Sequence, residues 1–556
     1  MSAIAPRDRF RLALHRFSRA GRAGFGTLAA PLTRWRAGGG SSAQLLIAPP
    51  DLRTADPTIA SDIYAGRFAF AGQSIETEGR SPLDIAAPSE DWYKALHGFG
   101  WLRHLRAADT ELARSNAQAI VADWLAAYGR TNGPAWEPMV AARRTMSFLS
   151  QSPLILGDAD LTLYRTYVRA LVRHAAYLRA RFTTIEAGAP RLRAAIAIAM
   201  VGLSLSRQGR LMRAGMDKVE SELAAQILSD GGHITRNPAA IVEILLDLLP
   251  LRQALIARNQ NPSDLMLRSI DRMIPMLRFF RHADGTIANF NGLASSANDI
   301  TATVLAYDET LGSPISSARY SGYERITAGP ALLIADAGPP PPLAYSADAH
   351  AGTLSFEMSV SGLGIIVNCG APAKRHVDLR HAARLTAAHS TAIIDDQSSC
   401  QFSSPEPGAQ IVSGPRNVTA KRHEEEDGSQ RLEMSHDGYQ RSFGYTHQRT
   451  LVLSAAGDML DGKDRFTGRG KGSEPDFALR FHLHYSLRAE LGEDSAGIDL
   501  YLPDGSLWRF ESSRAMELEP SVFLSDVYGS RPTLQIVIAG ACRDPAPVDW
   551  QLFRAR

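Results

Sequence analysis

The sequence predicts an α+β multidomain chain: a run of paired helices, then an antiparallel β-sandwich. Three observations carry this. First, 556 residues exceed what one hydrophobic core organises, so at least two domains are expected. Second, from about residue 84 to about residue 311 apolar residues recur at spacings of three and four, as in Leu163, Tyr167, Ala170, Leu171 and His174. That is the period of a helix with one buried face. Third, from about residue 320 the pattern becomes alternating or runs in short apolar stretches, with Gly-containing turns between them. Many strands without intervening helices indicate a sandwich.

The helical segments expected are 90–105, 111–128, 138–150, 159–181, 192–208, 212–228, 238–257, 262–281 and 295–309. Breaks at Gly157, Gly188-Ala-Pro190, Gly209, Gly231-Gly232 and Asn261-Pro262 separate them. Serial helices with short connections pack as antiparallel pairs. With no strict repeat in the sequence, a closed or half-closed (α/α) toroid fits better than a repeat array. Strands are expected near 331–335, 353–359, 364–367, 391–394, 447–453, 477–485, 498–502, 507–510 and 533–539. Asp427-Gly428, Asp461-Gly462 and Asp504-Gly505 read as hairpin turns. Short strands are also expected around 63–71, and Pro339-Pro-Pro-Pro342 reads as linker punctuation. The domains are then 1–82 (a basic arm and irregular lead-in), 83–315 (the toroid) and 320–556 (the sandwich).

Composition narrows the function. A formal charge of +2 gives no reason to expect nucleic acid as partner. Cys369, Cys400 and Cys542 are too few and scattered for a disulfide framework or a Cys-type zinc site. No apolar run reaches transmembrane length. Arg7, Arg9, Arg11, Arg16, Arg19 and Arg22 are followed by no apolar segment, so no signal peptide is read. Leu12, Leu14 and Phe17 among those arginines permit a basic amphipathic helix on an anionic surface; a mobile, solvated arm is the preferred reading.

Three blocks could carry chemistry. In Ser229-Asp-Gly-Gly-His-Ile-Thr-Arg-Asn-Pro238, Asn237 reads as an N-cap with proline at the first helical position, and His233 and Arg236 fall where a helix N-terminus stabilises anions. In 350–391, His350, Asn368 and His389 lie at strand ends; they could hold a divalent metal such as zinc, although such sites commonly add a carboxylate. In Ser435-His-Asp-Gly-Tyr439 and His447-Gln-Arg-Thr450, Tyr439 beside His and Arg could move protons, or could simply pack on a sheet. His97, His104, His174, His482 and His484 fit structural or surface roles, and His376 and His381 a solvated loop.

Trp136-Glu-Pro138 with Arg144, Asp230-Gly-Gly-His233, Leu354-Ser-Phe-Glu357 and Ala388-His-Ser-Thr391, in this order, resemble the heparinase II/III-like polysaccharide lyases from about residue 83 to about residue 534. The resemblance implies an (α/α) toroid followed by a β-sandwich. It also implies β-elimination on an acidic, uronate-containing polysaccharide, and a periplasmic or envelope location. Such a carbon–oxygen lyase neutralises the uronate carboxylate, removes the C5 proton and protonates the leaving oxygen. By position, Arg144, His233, Arg236, His350 and His389 match the family's motifs; with the family's tyrosine absent, His350, His389 or Tyr439 is the candidate for proton transfer, and Arg144, His233, Arg236 and Asn237 are the candidates for substrate binding. The chain also departs from the family pattern. Ala240 stands where the family has its catalytic tyrosine, and Ala189-Pro190 where it has an Asn-His pair. Gly352 and Asn368 stand where it has aspartates, and Ser390 where it has asparagine. The alternative reading is therefore a glycan-binding or envelope-polysaccharide assembly protein without catalysis. A glycoside hydrolase using two of Glu137, Asp230 and Glu357 ranks last.

Overall fold

Capping side chains and the helical period fix most of the first half. The structure, a computed structural model, describes residues 5–17, 43–129, 133–294, 298–307, 314–373, 376–471, 474–492, 497–526 and 528–555. The glycine–serine break at 38–42, Arg19 and Arg22 lie outside the described residues. The chain forms two compact units. One holds residues 14–226 and 243–270; the other holds 1–13, 227–242 and 271–556. Helices reach Leu305 and the following strands begin at Ser317, but residues 227–242 and 271–305 fold with the strands.

In the helical unit, Ser89, Thr110 and Asp160 accept hydrogen bonds from Trp92, Ala113 and Leu163 and start Glu90–Gly98, Glu111–Tyr128 and Leu161–Arg181. These are ordinary N-caps. The helix expected over 90–105 is two helices, Glu90–Gly98 and Leu102–Ala108. Phe99 between them is left-handed (φ +56°), and its amide returns to the Leu96 carbonyl. Pro138–Leu156, Ala189–Ser204 and Gly209–Gln226 follow. Twelve of the sixteen residues of Ala189–Ser204 are buried, as expected of a helix surrounded by others. The lead-in holds a helix, Thr58–Tyr64, and a hairpin, Arg67–Phe70 with Gln73–Glu76, rather than strands from residue 63.

The other unit is a sandwich of two antiparallel sheets. One runs Val418–Glu424, Gln430–His436, Tyr445–Leu453, Met459–Gly468, Val548–Arg554, Leu507–Ser512, Gly497–Tyr501, Arg488–Leu491. The second runs Glu517–Phe523, Arg531–Ala541, Asp476–Leu483, Leu363–Val367, Phe356–Val360, Ala331–Asp336, Tyr323–Ala328, Ser317–Ala318; Ala392–Ile394 also pairs with Asp476–Leu483. Trp550 centres their shared core, stacked on Phe356 and Phe510 and edge-on to Phe481.

Two turn readings change. Asp461-Gly462 lies inside Met459–Gly468 and is no turn; a β-carbon on Gly462 would sit 2.0 Å from the Trp550 ring. Pro339–Pro342 is a loop within the sandwich unit, after Ala331–Asp336, and not a linker between domains. The solvated arm expected at the N-terminus is instead a helix over residues 6–17, seated by buried Asp8 and Leu12, with Phe10, Leu14 and Phe17 exposed. Among the described residues, no helix is long and apolar enough to cross a membrane.

Candidate functional site

His350 and His389 come together in the sandwich unit, both buried. His350 Nδ1 lies 3.0 Å from His389 Nε2, and His389 Nδ1 lies 2.9 Å from the Leu385 carbonyl. A carbonyl only accepts, so in the neutral pair His389 carries its hydrogen on Nδ1. His350 then donates from Nδ1, and its Nε2 keeps a lone pair. Burial pulls His389 down to about 4, against the opposing Leu385 carbonyl, and holds His350 well below the usual histidine range. Both rings are therefore neutral at pH 7. A β-carbon at Gly352 would lie 2.7 Å from His389 Cδ2. The imidazole thus occupies the space that an aspartate at that position would need.

Asn368 is held at both of its polar side-chain atoms. Its Nδ2 and backbone N–H donate to Glu357 Oε1, and its Oδ1 accepts from the Ser390 amide. Glu357 Oε2 also takes the Asn289 amide and lies 3.4 Å from His282 Nε2. His350, Asn368 and His389 do not fit a divalent cation: His389 Nε2 is used by His350 and the Asn368 oxygen by Ser390. Among the described residues, no group of three or more His, Cys, Asp or Glu side chains is arranged for a metal.

The Gly-Gly block is a structural seam. Asp230 accepts from the amide and hydroxyl of Ser321, and Gly231 (φ +89°) passes so close to Arg272 that a β-carbon would lie 2.0 Å from its carbonyl oxygen. Arg236, expected to bind substrate, is buried with its hydrogens committed. Nε and NH1 donate to the carbonyls of Ser321, Gly338 and Pro339, while NH2 donates to the Gly322 carbonyl and to Asp336 at 2.6 Å. Asn291 extends this network by donating to Tyr323 and Asp336 and accepting from the His350 amide. Asn237 Oδ1 takes the Ala239 amide and is the N-cap of Pro238–Ala257. His233 is buried beside Thr235, and burial lowers it to about 3.

Tyr439 is not positioned for proton transfer. It is 1% exposed, its hydroxyl donates to the Ala392 carbonyl, and burial pushes its phenol far above the usual range. His447 and Arg449 instead meet Asp464 between the sheets, at 2.7 and 2.8 Å, and Trp550 Nε1 donates to the same carboxylate. Arg449 NH1 donates onward to the Leu354 and Ser390 carbonyls and so fixes the turn that carries His389.

In the helical unit Arg144 is fully buried, 4.0 Å from the centre of the Trp124 ring, and donates to the His97 and Ala135 carbonyls. Burial lowers it to about 9. It is a core cation and not a substrate contact. Its neighbour Arg143 joins Arg53 and Arg193 around Asp247, at 3.2, 2.8 and 2.9 Å, and all three also approach Glu243. Burial would raise Asp247, but the arginines hold it far below the usual carboxylate range. Glu243 lies one turn after Ala240 in Pro238–Ala257, and Arg193 one turn after Ala189-Pro190 in Ala189–Ser204.

The heparinase II/III-like C-terminal domain family matches residues 310–551. FtsZ-localized protein C of Caulobacter vibrioides (strain NA1000 / CB15N) is 31% identical over 527 residues, covering 91% of this chain and 90% of that protein. The chain belongs to the heparinase II/III-like family. The heparinase III crystal structure matches 92% of this chain and 88% of its own, with TM-score 0.72 and 15% identity. A mutant of the heparan sulfate lyase HepC of Pedobacter heparinus matches 98% and 88%, with TM-score 0.63 and 14% identity. The fold is polysaccharide-lyase-like, a helical region followed by antiparallel sheets.

Sequence reasoning overlooked the heparinase-like chain's ion cluster. Its signal was present: Glu243 and Asp247 are four apart and are the two acidic residues of a mostly apolar helix, a spacing that places both on one face. Asp336, Tyr323 and Asn291 offered no motif, because strands and loops far apart in sequence bring them together.

Proposed function

We propose that this chain is a non-lytic member of the heparinase II/III-like family, one that engages an acidic glycan of the cell envelope without cleaving it and localises with FtsZ. The observation that carries the reading is Ala240: a methyl group moves no proton, and Tyr439, the tyrosine proposed from sequence, is sealed in the sandwich core. Arg236, Asn237 and Arg144 are likewise spent on structural contacts. The association with FtsZ rests on the likeness to the Caulobacter protein over nine-tenths of both chains.

Two measurements test it. A panel of uronate polymers incubated with the purified protein, with and without divalent metal, should yield no ultraviolet-absorbing unsaturated product. Co-sedimentation with FtsZ polymers should retain the protein. Product formation would overturn the non-lytic reading, and failure to sediment would overturn the FtsZ association. A second reading, a lyase with a displaced base, draws on the lone pair left on His350 Nε2. It predicts product that is lost on His350→Ala.

A further inference from the structure

A pocket of about 930 Å³ lies within the sandwich unit, and Ala5, Arg7 and Asp8 of the N-terminal segment form part of its wall. We infer that this pocket is a carboxylate-reading saccharide site, and that Asp8 of the N-terminal helix is a built-in, displaceable occupant. The inference rests on the glycan-binding reading above and names where, and by what chemistry, one acidic sugar is held.

Asp8 is 2% exposed, although it belongs to a helix whose residues are mostly in solvent. Its two oxygens are shared out: Oδ1 lies 3.5 Å from Arg416 NH2 and Oδ2 lies 3.0 Å from Arg441 NH1. Paired guanidinium groups with one carboxylate oxygen each form an arrangement that suits any carboxylate. Both arginine side chains are about half exposed, at 54% and 53%, so they are reachable once Asp8 leaves. Lys471 adds a third cation to the wall. The nearby Asp437 is already spent, accepting from the Arg416 and Asn417 amides.

The rest of the lining is mixed. Serines and glutamines, including Ser398, Ser404, Gln397 and Gln401, stand beside the apolar Leu385 and Phe402, and Asp396 adds a carboxylate away from the arginine pair's own contacts. An amphipathic peptide helix needs several apolar anchors in a groove. A polyhydroxylated acidic sugar needs hydroxyl and amide partners plus a cation for its carboxylate, and the volume is that of an ordinary ligand pocket. The helix is thinly attached: of residues 5–17, Asp8 and Leu12 alone are buried. Displacing it costs the shared carboxylate contact and the burial of Leu12.

The test is titration calorimetry of the full chain with trigalacturonate, with neutral galactotriose as control. Asp8→Asn keeps the helix side chain's shape and removes its charge. It should tighten trigalacturonate binding by about tenfold or more, since the competent state is no longer masked. Arg416→Gln/Arg441→Gln should abolish binding, and galactotriose should bind no form. Thermal melts check that each variant folds. Equal affinity of wild type and Asp8→Asn, or binding that survives the double arginine change, overturns the inference. So does a synthetic peptide of residues 5–17 binding Asp8→Asn where the sugar does not, which would make this a peptide site. Retention of an intact uronate polymer by the wild-type protein distinguishes the failures. If the polymer is retained but the trimer result fails, the site assignment alone falls; if neither binds, the glycan-binding reading falls with it.

Discussion

The His389 imidazole stands where a side chain on Gly352 would have to go: a β-carbon there would be 2.7 Å from His389 Cδ2. The loss of the carboxylate at 352 and the position of His389 are therefore one packing choice. Gly352→Asp should destabilise the protein by about 2 kcal/mol through overpacking, measured by urea denaturation. Gly352→Asp with His389→Ala should recover part of that loss. Independent, additive effects in the double variant would contradict the coupling.

Asp464 holds three donors between the sheets. Burial would raise its pKa, but Arg449 and His447 override that and hold it below the usual carboxylate range. Asp464→Asn should therefore cost about 3–5 kcal/mol, because it leaves a buried guanidinium without its counter-charge. The same change should loosen the turn at Ser390, read as faster amide exchange at Ser390 and Thr391. An unchanged denaturation midpoint would contradict this.

Several histidines are buried neutral. Burial lowers His97, His104 and His389 to about 4, and His233 and His482 to about 3. The unfolded chain takes up these protons below about pH 6.5 while the folded chain resists until about pH 4. Between those values the unfolded state binds more protons, so stability rises with pH. Each group contributes a slope of up to about 1.4 kcal/mol per pH unit. Denaturation midpoints should be flat above about pH 7 and fall steeply from pH 6.5 to 4. His389→Gln should flatten part of that slope; an unchanged profile would contradict the assignment.

Asp247 offsets three arginines at once. Asp247→Asn should destabilise by about 3 kcal/mol, as expected for removal of one partner from a buried ion cluster. The loss should shrink in added salt, since Glu243 and the arginines are partly exposed. A loss independent of salt would point to packing in place of charge.

Periodicity made most of the fold legible. Pro238–Ala257 and Glu111–Tyr128 were readable to the residue because proline, threonine and glycine mark their ends. Phe99 was not, because a left-handed phenylalanine leaves no compositional trace. Gly462 read as a turn because its reason, the Trp550 ring, lies 88 residues away in the chain. The site was less legible for the same reason. His350 and His389 were found by position and do meet, whereas Arg144 and Tyr439 have suitable chemistry but are enclosed. Arg143, one residue from Arg144 and on a different side of the helix, faces the ion cluster.

The vacated tyrosine position gives a test of how far the loss extends. Ala240 is partly exposed, so Ala240→Tyr should fold. It should not create lyase activity, because Ala189-Pro190 also stands where the resemblance calls for an Asn-His pair. Appearance of unsaturated product in this variant would show that one residue alone separates this chain from catalysis.

The most direct measurement is the size distribution of a uronate polymer, with its ultraviolet absorbance, before and after prolonged incubation with the purified full chain under conditions where the polymer is bound. The polymer should be retained at unchanged length with no gain in absorbance. Shortening of the polymer with accumulation of unsaturated ends would contradict it.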